Sequence, residues 1–159
     1  MARPLTLVDL LIALALVAAL VVLFAHGHRR TADAILADPV RTPGVLNPDV
    51  TQANIRSTVC RHGWTETIRP PTSYTNDLKE RQMREYRVGG SLSDYQEDHL
   101  ISLELGGHPT DPRNLWPEPR PHAEEVDRVE NELNAKVCSG ELTLAEAQRR
   151  ESELKHASG

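Results

Sequence analysis

The chain has 159 residues, enough for one small domain, and its formal net charge is −5 at pH 7. Residues 1–25 carry one basic and one acidic side chain, Arg3 and Asp9, so the remainder is equally acidic. This balance excludes a broad basic surface for nucleic acid, and any site for a polyanion must be local.

An apolar run lies near the start of the chain. Leu10–Ala25 has no polar side chain, and only two polar residues interrupt its extension back to Leu5. This length falls between the core of a signal peptide and a membrane-spanning helix. Basic residues flank both sides, so the positive-inside rule gives no orientation. We therefore predict an N-terminal apolar helix in residues 1–25, which is either a signal peptide or a transmembrane anchor formed by residues 5–25. The domain is then exported: periplasmic, extracellular or anchored in the inner membrane.

An alternative interpretation of this segment comes from Leu5–Leu16, LTLVDLLIALAL. It resembles the N-terminal segment of type IV pilin-like proteins, in which a carboxylate occupies the fifth position of an apolar helix. Asp9 would be that carboxylate, but Pro4 stands where the processing site of that family has glycine. The export signal is the favoured interpretation.

Residues 26–46 mix charged side chains with prolines and glycine, which predicts a flexible tether before a domain at 47–159. The pair Asn47-Pro48 is typical of a helix start, and apolar residues at 50, 55 and 59 predict a short helix that ends near Cys60. Residues 61–74 are predicted to be extended until the pair Pro70-Pro71 ends any regular element.

Residues 75–86, TNDLKERQMREY, are predicted to form a helix with Thr75 or Asn76 as its cap. Leu78, Gln82 and Tyr86 line up along one side of it. The other surfaces are basic, which fits either a solvated face or a patch that contacts phosphates. The basic residues are Lys79, Arg81, Arg84 and Arg87.

The segment from Tyr95 to Leu105 has strand-like stretches, and Gly106-Gly107 permits a tight turn. Within it, carboxylates stand next to His99, a combination that can hold a metal ion or act as a general base. Five prolines between residues 109 and 121 follow. We interpret them as holding a loop that brings Asn114 back to His99.

The last third of the chain predicts two helices. Apolar residues at 126, 129, 133 and 137 recur at helical spacing until Ser139-Gly140 ends the first helix. Thr143 and Glu146 form a capping-box pattern that begins a last helix, which runs through about Leu154.

Cys60 and Cys138 are the two cysteines of the chain. Few large apolar side chains remain after residue 25, and small exported domains often compensate for a thin core with a disulfide. We predict that the two cysteines are bridged, which would contribute on the order of 4 kcal/mol to stability. The alternative is two buried free thiols, expected if the domain faces the cytoplasm.

The stretch DHLISLELGG, followed by DPRNLWPEP, resembles the HNH endonuclease motif of the ββα-metal family. The resemblance implies an α+β fold, a small and mostly helical domain around a hairpin–helix motif, with the Asp-His pair at the start of the hairpin. It also implies that His99 is the general base, Asp98 the first metal ligand, and Asn114 the asparagine that fixes the loop and the base.

The family usually has another metal ligand one or two helical turns beyond the asparagine. His122, eight residues after Asn114, is the candidate by resemblance, although the spacing is one residue short and prolines intervene. Glu124, Glu125 and Asp127 are alternatives for Mg²⁺, which prefers oxygen donors. The implied cofactor is a divalent ion, Mg²⁺ with Mn²⁺ or Zn²⁺ as alternatives, and no small-molecule cofactor is expected.

Within the family, the chain is most similar to a group of small exported bacterial HNH-like proteins of unassigned activity. The similarity spans residues 43–150 and includes CRHGWTETIRPPTSYTNDLK before the motif and VENELNAKVCSGELTLAEAQ after it. The resemblance implies a metal-dependent nuclease that hydrolyses phosphodiester bonds of nucleic acid, namely DNA. The alternative is a non-catalytic envelope protein that keeps the scaffold for metal or partner binding.

Overall fold

The computed structural model describes residues 13–18 and 36–157, without the side chains of residues 121, 124 and 125. The chain divides into two units, Met1–Ala34 and Ile35–Gly159. In the first unit, residues 13–18 are helical. Among the described residues, no helix has the length and apolar character needed to cross a bilayer. The predicted signal peptide or anchor, the pilin-like position Asp9 and the start of the tether lie largely outside the described residues.

The second unit is α+β and mostly helical, with one two-stranded antiparallel sheet among its described residues. The α+β and mostly helical character of the predicted fold class is thereby confirmed. Its main elements are α1 (Trp64–Ile68), α2 (Thr72–Glu85), β1 (Tyr95–His99), β2 (Leu115–Pro119), α3 (Arg120–Ser139) and α4 (Leu144–Ala157). Short 3₁₀ turns lie at Gln52–Ser57, Leu92–Asp94, Leu103–Leu105 and Pro112–Asn114.

The sheet pairs β1 with β2 in a register that runs from Tyr95 opposite Pro119 to His99 opposite Leu115. The Asp-His pair therefore ends β1 and does not start the hairpin. The strand predicted as far as Leu105 also stops at His99. The chain bends there because the next residues pair with the segment before β2 and then form a 3₁₀ turn.

Helix α2 begins three residues earlier than predicted, directly after the Pro70-Pro71 pair. This proline pair follows helix α1, where the sequence predicted an extended segment. The prediction that residues 61–74 are extended is therefore wrong. Lys79, predicted on a basic surface, is buried and donates a hydrogen bond to the carbonyl oxygen of Tyr95 (3.0 Å). The predicted helix at residues 48–60 is reduced to a 3₁₀ turn with Thr51 as its cap.

Helix α3 ends, and helix α4 begins, where the sequence predicts. Gly140 follows α3 in the left-handed conformation (φ 84°), which glycine adopts without a steric penalty. The Oε2 atom of Glu146 accepts hydrogen bonds from the amide (2.9 Å) and hydroxyl (2.7 Å) of Thr143, which confirms the cap of α4. The α4 helix extends to Ala157, three residues beyond the predicted end.

The main hydrophobic core lies between the 52–57 turn, α1, α3 and α4. Its members include Trp64, Leu105, Leu133 and Val137, each buried. Cys60 packs against this core and forms a disulfide with Cys138, as predicted. A smaller cluster joins Ala37, Leu100 and Trp116.

Residues 36–46, which fall within the predicted tether, pack onto the domain. Thr42 is buried, and its carbonyl oxygen lies 3.0 Å from the Nε2 atom of His156 in α4. Leu46 forms an isolated β-bridge with Gly107. These contacts give the segment between residues 36 and 46 the backbone and side-chain partners that a tether would lack.

Candidate active site

Asp98 and His99 are the last two residues of β1, and the long connection to β2 follows them. Successive side chains of a strand point to opposite faces, so the two groups leave β1 in different directions. Asp98 reaches Lys155 of α4, whereas the imidazole of His99 reaches Pro109 in the connection. The pair therefore lies between the last helix and the loop.

The connection is held by Asn114, whose side chain is fully buried. Its Oδ1 atom accepts a hydrogen bond from the amide of Ile101, and its Nδ2 atom donates to the carbonyl oxygen of the same residue, both at 3.0 Å. The Nδ2 atom also donates to the carbonyl oxygen of His108 (3.1 Å). One amide group thus ties together the two sides of the loop that follows His99.

Gly106 and Gly107 allow the loop backbone to pack against the side-chain amide of Asn114. Gly106 is left-handed (φ 78°). A Cβ atom at position 107 would lie 1.7 Å from the carbonyl oxygen of Ile101 and 2.7 Å from the Nδ2 atom of Asn114. Only glycine fits at position 107 without moving the backbone that the amide binds.

His99 is buried and oriented by one hydrogen bond, with its Nε2 atom 3.0 Å from the carbonyl oxygen of Pro109. A carbonyl oxygen only accepts, so Nε2 carries the proton and Nδ1 keeps a lone pair in the neutral ring. Burial lowers the pKa of His99 below its ordinary value. The residue is therefore held in the tautomer and charge state of a general base.

Lys155 joins α4 to the end of β1 and is fully buried. Its Nζ atom lies 2.8 Å from the Oδ2 atom of Asp98 and 2.6 Å from the Oε1 atom of Glu130 in α3. It also donates to the carbonyl oxygen of His99 (2.5 Å). This ammonium group therefore fixes both residues of the pair.

Further carboxyl groups, those of Glu118, Glu130 and Glu151, surround Lys155. Burial raises the pKa of Glu118 to about 9, that of Glu151 to about 8 and that of Glu130 to about 7. Asp98 is also buried, but the neighbouring ammonium of Lys155 lowers its pKa well below the ordinary range. Asp98 is thus the carboxylate of the cluster that stays charged.

A cavity of about 300 Å³ lies on one side of the pair, and we call it the acidic cavity. Helix α3 provides three of its polar side chains, and the 103–105 turn provides another. Its acidic, imidazole and amide groups belong to Gln96, Asp98, His99, Glu104, Asp127, Glu130 and Asn131. The carboxyl and amide oxygen atoms among them belong to the hard donor class that Mg²⁺ and Mn²⁺ prefer.

The acidic cavity offers oxygen donors of the kind that a hydrated magnesium ion can use. Among the described residues, no group of three or more His, Cys, Asp or Glu side chains has the arrangement of a metal site. A Mg²⁺ ion keeps several waters and binds through one or two carboxylates plus substrate phosphates. Lys155 occupies the Oδ2 atom of Asp98, and Gln96 donates a long hydrogen bond (3.3 Å) to its Oδ1 atom.

His122 lies in the first turn of α3 and is partly buried. It is not among the side chains that line the acidic cavity. Its Nδ1 atom is buried and makes no hydrogen bond within the described part of the chain. Asp98 and His99 line the acidic cavity together with Asp127 but not with His122, whereas Asn114 holds the loop that follows His99.

A second cavity of about 220 Å³ lies on the other side of the pair, against the start of α2, and we call it the α2 cavity. Arg69, Gln96, Asp98 and His99 line both cavities. The Asp98–His99 pair therefore borders a cavity on each side, and Arg69 lines both cavities.

Sequence reasoning missed Lys155, Glu130 and Arg69. Arg69 and Glu130 are remote from the Asp-His pair in the chain, and no local pattern connects them. Lys155 did carry a signal, because it continues the buried stripe of α4 at helical spacing after Leu144, Ala147 and Glu151. A charged pair on a stripe that must be buried predicts an internal ionic contact.

In comparisons with protein-family models, with curated proteins and with solved structures, no match to this chain is found. The likeness to the HNH motif therefore rests on the residues quoted above. The geometry of the Asp98–His99 pair is what bears on the function.

Proposed function

We propose that the protein is a metal-dependent nuclease that hydrolyses phosphodiester bonds of DNA, with its catalytic site built on a ββα-metal hairpin and helix. The observation that carries the proposal is His99, held as a neutral base beside the charged carboxylate of Asp98. The sequence β1, β2 and α3 supports the fold assignment, because the hairpin runs directly into the helix that lines the acidic cavity.

In this proposal, the Nδ1 atom of His99 accepts a proton from a water molecule that attacks phosphorus, and the bond to the leaving oxygen breaks. The leaving oxygen departs with the bonding electron pair and takes up a proton from solvent. The hydrogen bond from Nε2 to Pro109 keeps the ring in the required tautomer. Asn114 positions the loop that carries Pro109. Asp98, with Asp127 or Glu130, would hold the divalent ion, which offsets charge on the phosphate oxygens when bound.

The proposed location is outside the cytoplasm, by export or by an uncleaved membrane anchor. The disulfide between Cys60 and Cys138 supports this proposal, because disulfides persist in oxidising compartments.

The test is nicking of supercoiled plasmid by the purified full-length protein with Mg²⁺, Mn²⁺ or Zn²⁺. We expect nicking that requires a divalent ion, and a rate at least about 10²-fold lower in His99→Ala because the general base is lost. His62→Ala is the matched control, since His62 is exposed and lines neither cavity. Equal nicking by His99→Ala and the wild type would rule out this site as the source of the activity.

A second candidate function is binding without catalysis, in an envelope protein that keeps the scaffold. It is favoured by Lys155, whose ammonium group already supplies a cation to Asp98 and Glu130. Crystals soaked in Mn²⁺ distinguish the two candidates. A folded protein that nicks no plasmid and shows no ion beside Asp98 would favour this candidate over the nuclease.

A further inference from the structure

The carbonyl group that orients His99 belongs to the peptide group between Pro109 and Thr110. The Nε2 atom of His99 lies 3.0 Å from that carbonyl oxygen. The amide at the other end of the same peptide group donates to the ring of His108, with 3.2 Å between the amide nitrogen of Thr110 and the Nδ1 atom. A peptide group is planar, and in the trans form its C=O and N–H bonds point in opposite directions. One rigid plane therefore joins the two histidine rings.

We infer that His108 is a positioning residue for the proposed base His99, and that it acts through the peptide group between residues 109 and 110. The ring of His108 holds the N–H end of this plane, so the C=O end stays directed at the Nε2 atom of His99. The inference rests on the proposed nuclease function where it concerns the rate of cleavage. Where it concerns the tautomer of His99, it rests on these contacts alone.

The hydrogen-bond partners of His108 determine its own tautomer. Its Nδ1 atom accepts the amide hydrogen of Asp111 (3.0 Å) as well as that of Thr110. Both partners are N–H donors, so Nδ1 keeps a lone pair and Nε2 carries the proton in the neutral ring. Pro109 has no amide hydrogen, and the ring bonds to the next two amides along the chain. This side chain therefore closes the turn of residues 108–111.

The same ring also holds the following peptide group, between Thr110 and Asp111. Its N–H end donates to the Nδ1 atom of His108, and its carbonyl oxygen accepts a hydrogen bond from the hydroxyl group of Tyr74. Two consecutive peptide planes thus share one acceptor on their N–H side, while different side chains bind their carbonyl groups. Removing the ring would release both planes at once.

The backbone of His108 is held independently of its ring. Its amide donates to the carbonyl oxygen of Val45 (2.8 Å), and its carbonyl oxygen accepts from the Nδ2 atom of Asn114 (3.1 Å). Asn114 therefore holds the peptide group before Pro109, whereas the ring of His108 holds the one after it. The side chain of His108 is only partly buried, so its removal leaves no large cavity in the core. We expect variants at position 108 to fold.

The first experiment measures the tautomer of His99 without any cleavage. The full-length protein, with ¹⁵N in its histidine rings, is studied by long-range ¹H–¹⁵N NMR in excess EDTA and at mildly alkaline pH. We expect the wild type to show His99 in the Nε2–H form alone. We expect His108→Ala to show a mixture of the Nε2–H and Nδ1–H forms, because the acceptor of the Nε2 proton is no longer held in place. A folded His108→Ala variant that keeps the pure Nε2–H form would overturn the inference.

Two further variants distinguish positioning from a general effect on structure. In His108→Asn, the Oδ1 atom can accept the amides two and three residues ahead, as asparagine does in turns, so the pure Nε2–H form of His99 should return. In Thr110→Ala, an exposed side chain is shortened while the backbone amide is kept, so His99 should behave as in the wild type. A mixture of tautomers in a His108→Asn variant that unfolds at the wild-type midpoint would contradict the role of the acceptor.

The second experiment measures plasmid nicking with Mg²⁺ over a range of DNA concentrations. We expect His108→Ala to lower kcat about tenfold and to leave KM within about twofold of the wild type, because the base loses its orientation while the contacts to DNA remain. His108→Asn should recover kcat to within about threefold of the wild type. Thr110→Ala is the matched control and should leave kcat unchanged. A larger effect of Thr110→Ala than of His108→Ala would contradict the inference.

These experiments separate the positioning role from the nuclease. If the tautomers respond as expected but plasmid is not nicked with any ion, His108 positions His99 and the enzyme assignment is wrong. If plasmid is nicked through His99 while His108→Ala changes neither the tautomer nor kcat, the nuclease stands and the positioning role is wrong.

Discussion

At the scale of single residues, the conformation of the loop beside His99 depends on Gly107. Its amide donates to the carbonyl oxygen of Ser102 (2.9 Å), and the space where a side chain would start is filled by the carbonyl group of Ile101. That carbonyl group is the one bound by Asn114. A backbone shift at position 107 would therefore disturb the amide bridge that orients the loop beside His99.

We predict that Gly107→Ala lowers the free energy of unfolding by about 3 kcal/mol, because the added methyl group must displace packed backbone. Chemical unfolding in urea, followed by circular dichroism, measures the change. Gly89→Ala is the control, since a Cβ atom there would meet nothing within 4 Å. Similar stability of the two variants would show that the loop yields at little cost.

At the scale of elements, α4 stabilises the site from a distance in sequence. Lys155 lies 57 residues beyond Asp98 and connects α4, α3 and β1 through a single ammonium group. Removing one partner of a buried ionic cluster leaves charge without compensation, which costs more than the loss of a surface pair. The last helix is thus part of the support of the Asp98–His99 pair.

We predict that Lys155→Met lowers the free energy of unfolding by about 3–5 kcal/mol, because Asp98 would remain as a buried charge without its cation. Urea unfolding at neutral pH measures the loss. Lys136→Met is the matched control, because Lys136 pairs with an exposed Glu132 on the surface of α3 and should leave the unfolding midpoint unchanged. Unfolding of Lys155→Met at the wild-type midpoint would mean that Asp98 takes up a proton without cost.

The elements also show how far local sequence determines this structure. Helices α3 and α4 were predictable because apolar spacing, Gly140 and the Thr143 cap all indicate the same boundaries. The five-residue helix α1 was not, because it is too short for a helical period and owes its stability to packing of Trp64 in the core. The site follows the same division: the Asp-His pair and Asn114 lie in a local motif, whereas Lys155 reaches it only through the fold.

At the scale of the whole molecule, the disulfide closes a segment that contains the entire candidate site except α4. Cys60 and Cys138 are 78 residues apart, and α1, α2, the hairpin and nearly all of α3 lie between them. Cross-linking so long a segment restricts the unfolded chain more than the folded one. The bridge therefore offsets the small apolar core without contributing a group to either cavity.

We predict that Cys60→Ala combined with Cys138→Ala lowers the free energy of unfolding by about 4 kcal/mol, because the unfolded chain regains the entropy of a 78-residue loop. Urea unfolding of the double variant, beside wild-type protein with and without reductant, measures the change. The reduced wild type should resemble the variant, since both lack the cross-link. An unchanged midpoint in wild-type protein whose thiols are shown by labelling to be reduced would mean that the core alone determines the stability of the domain.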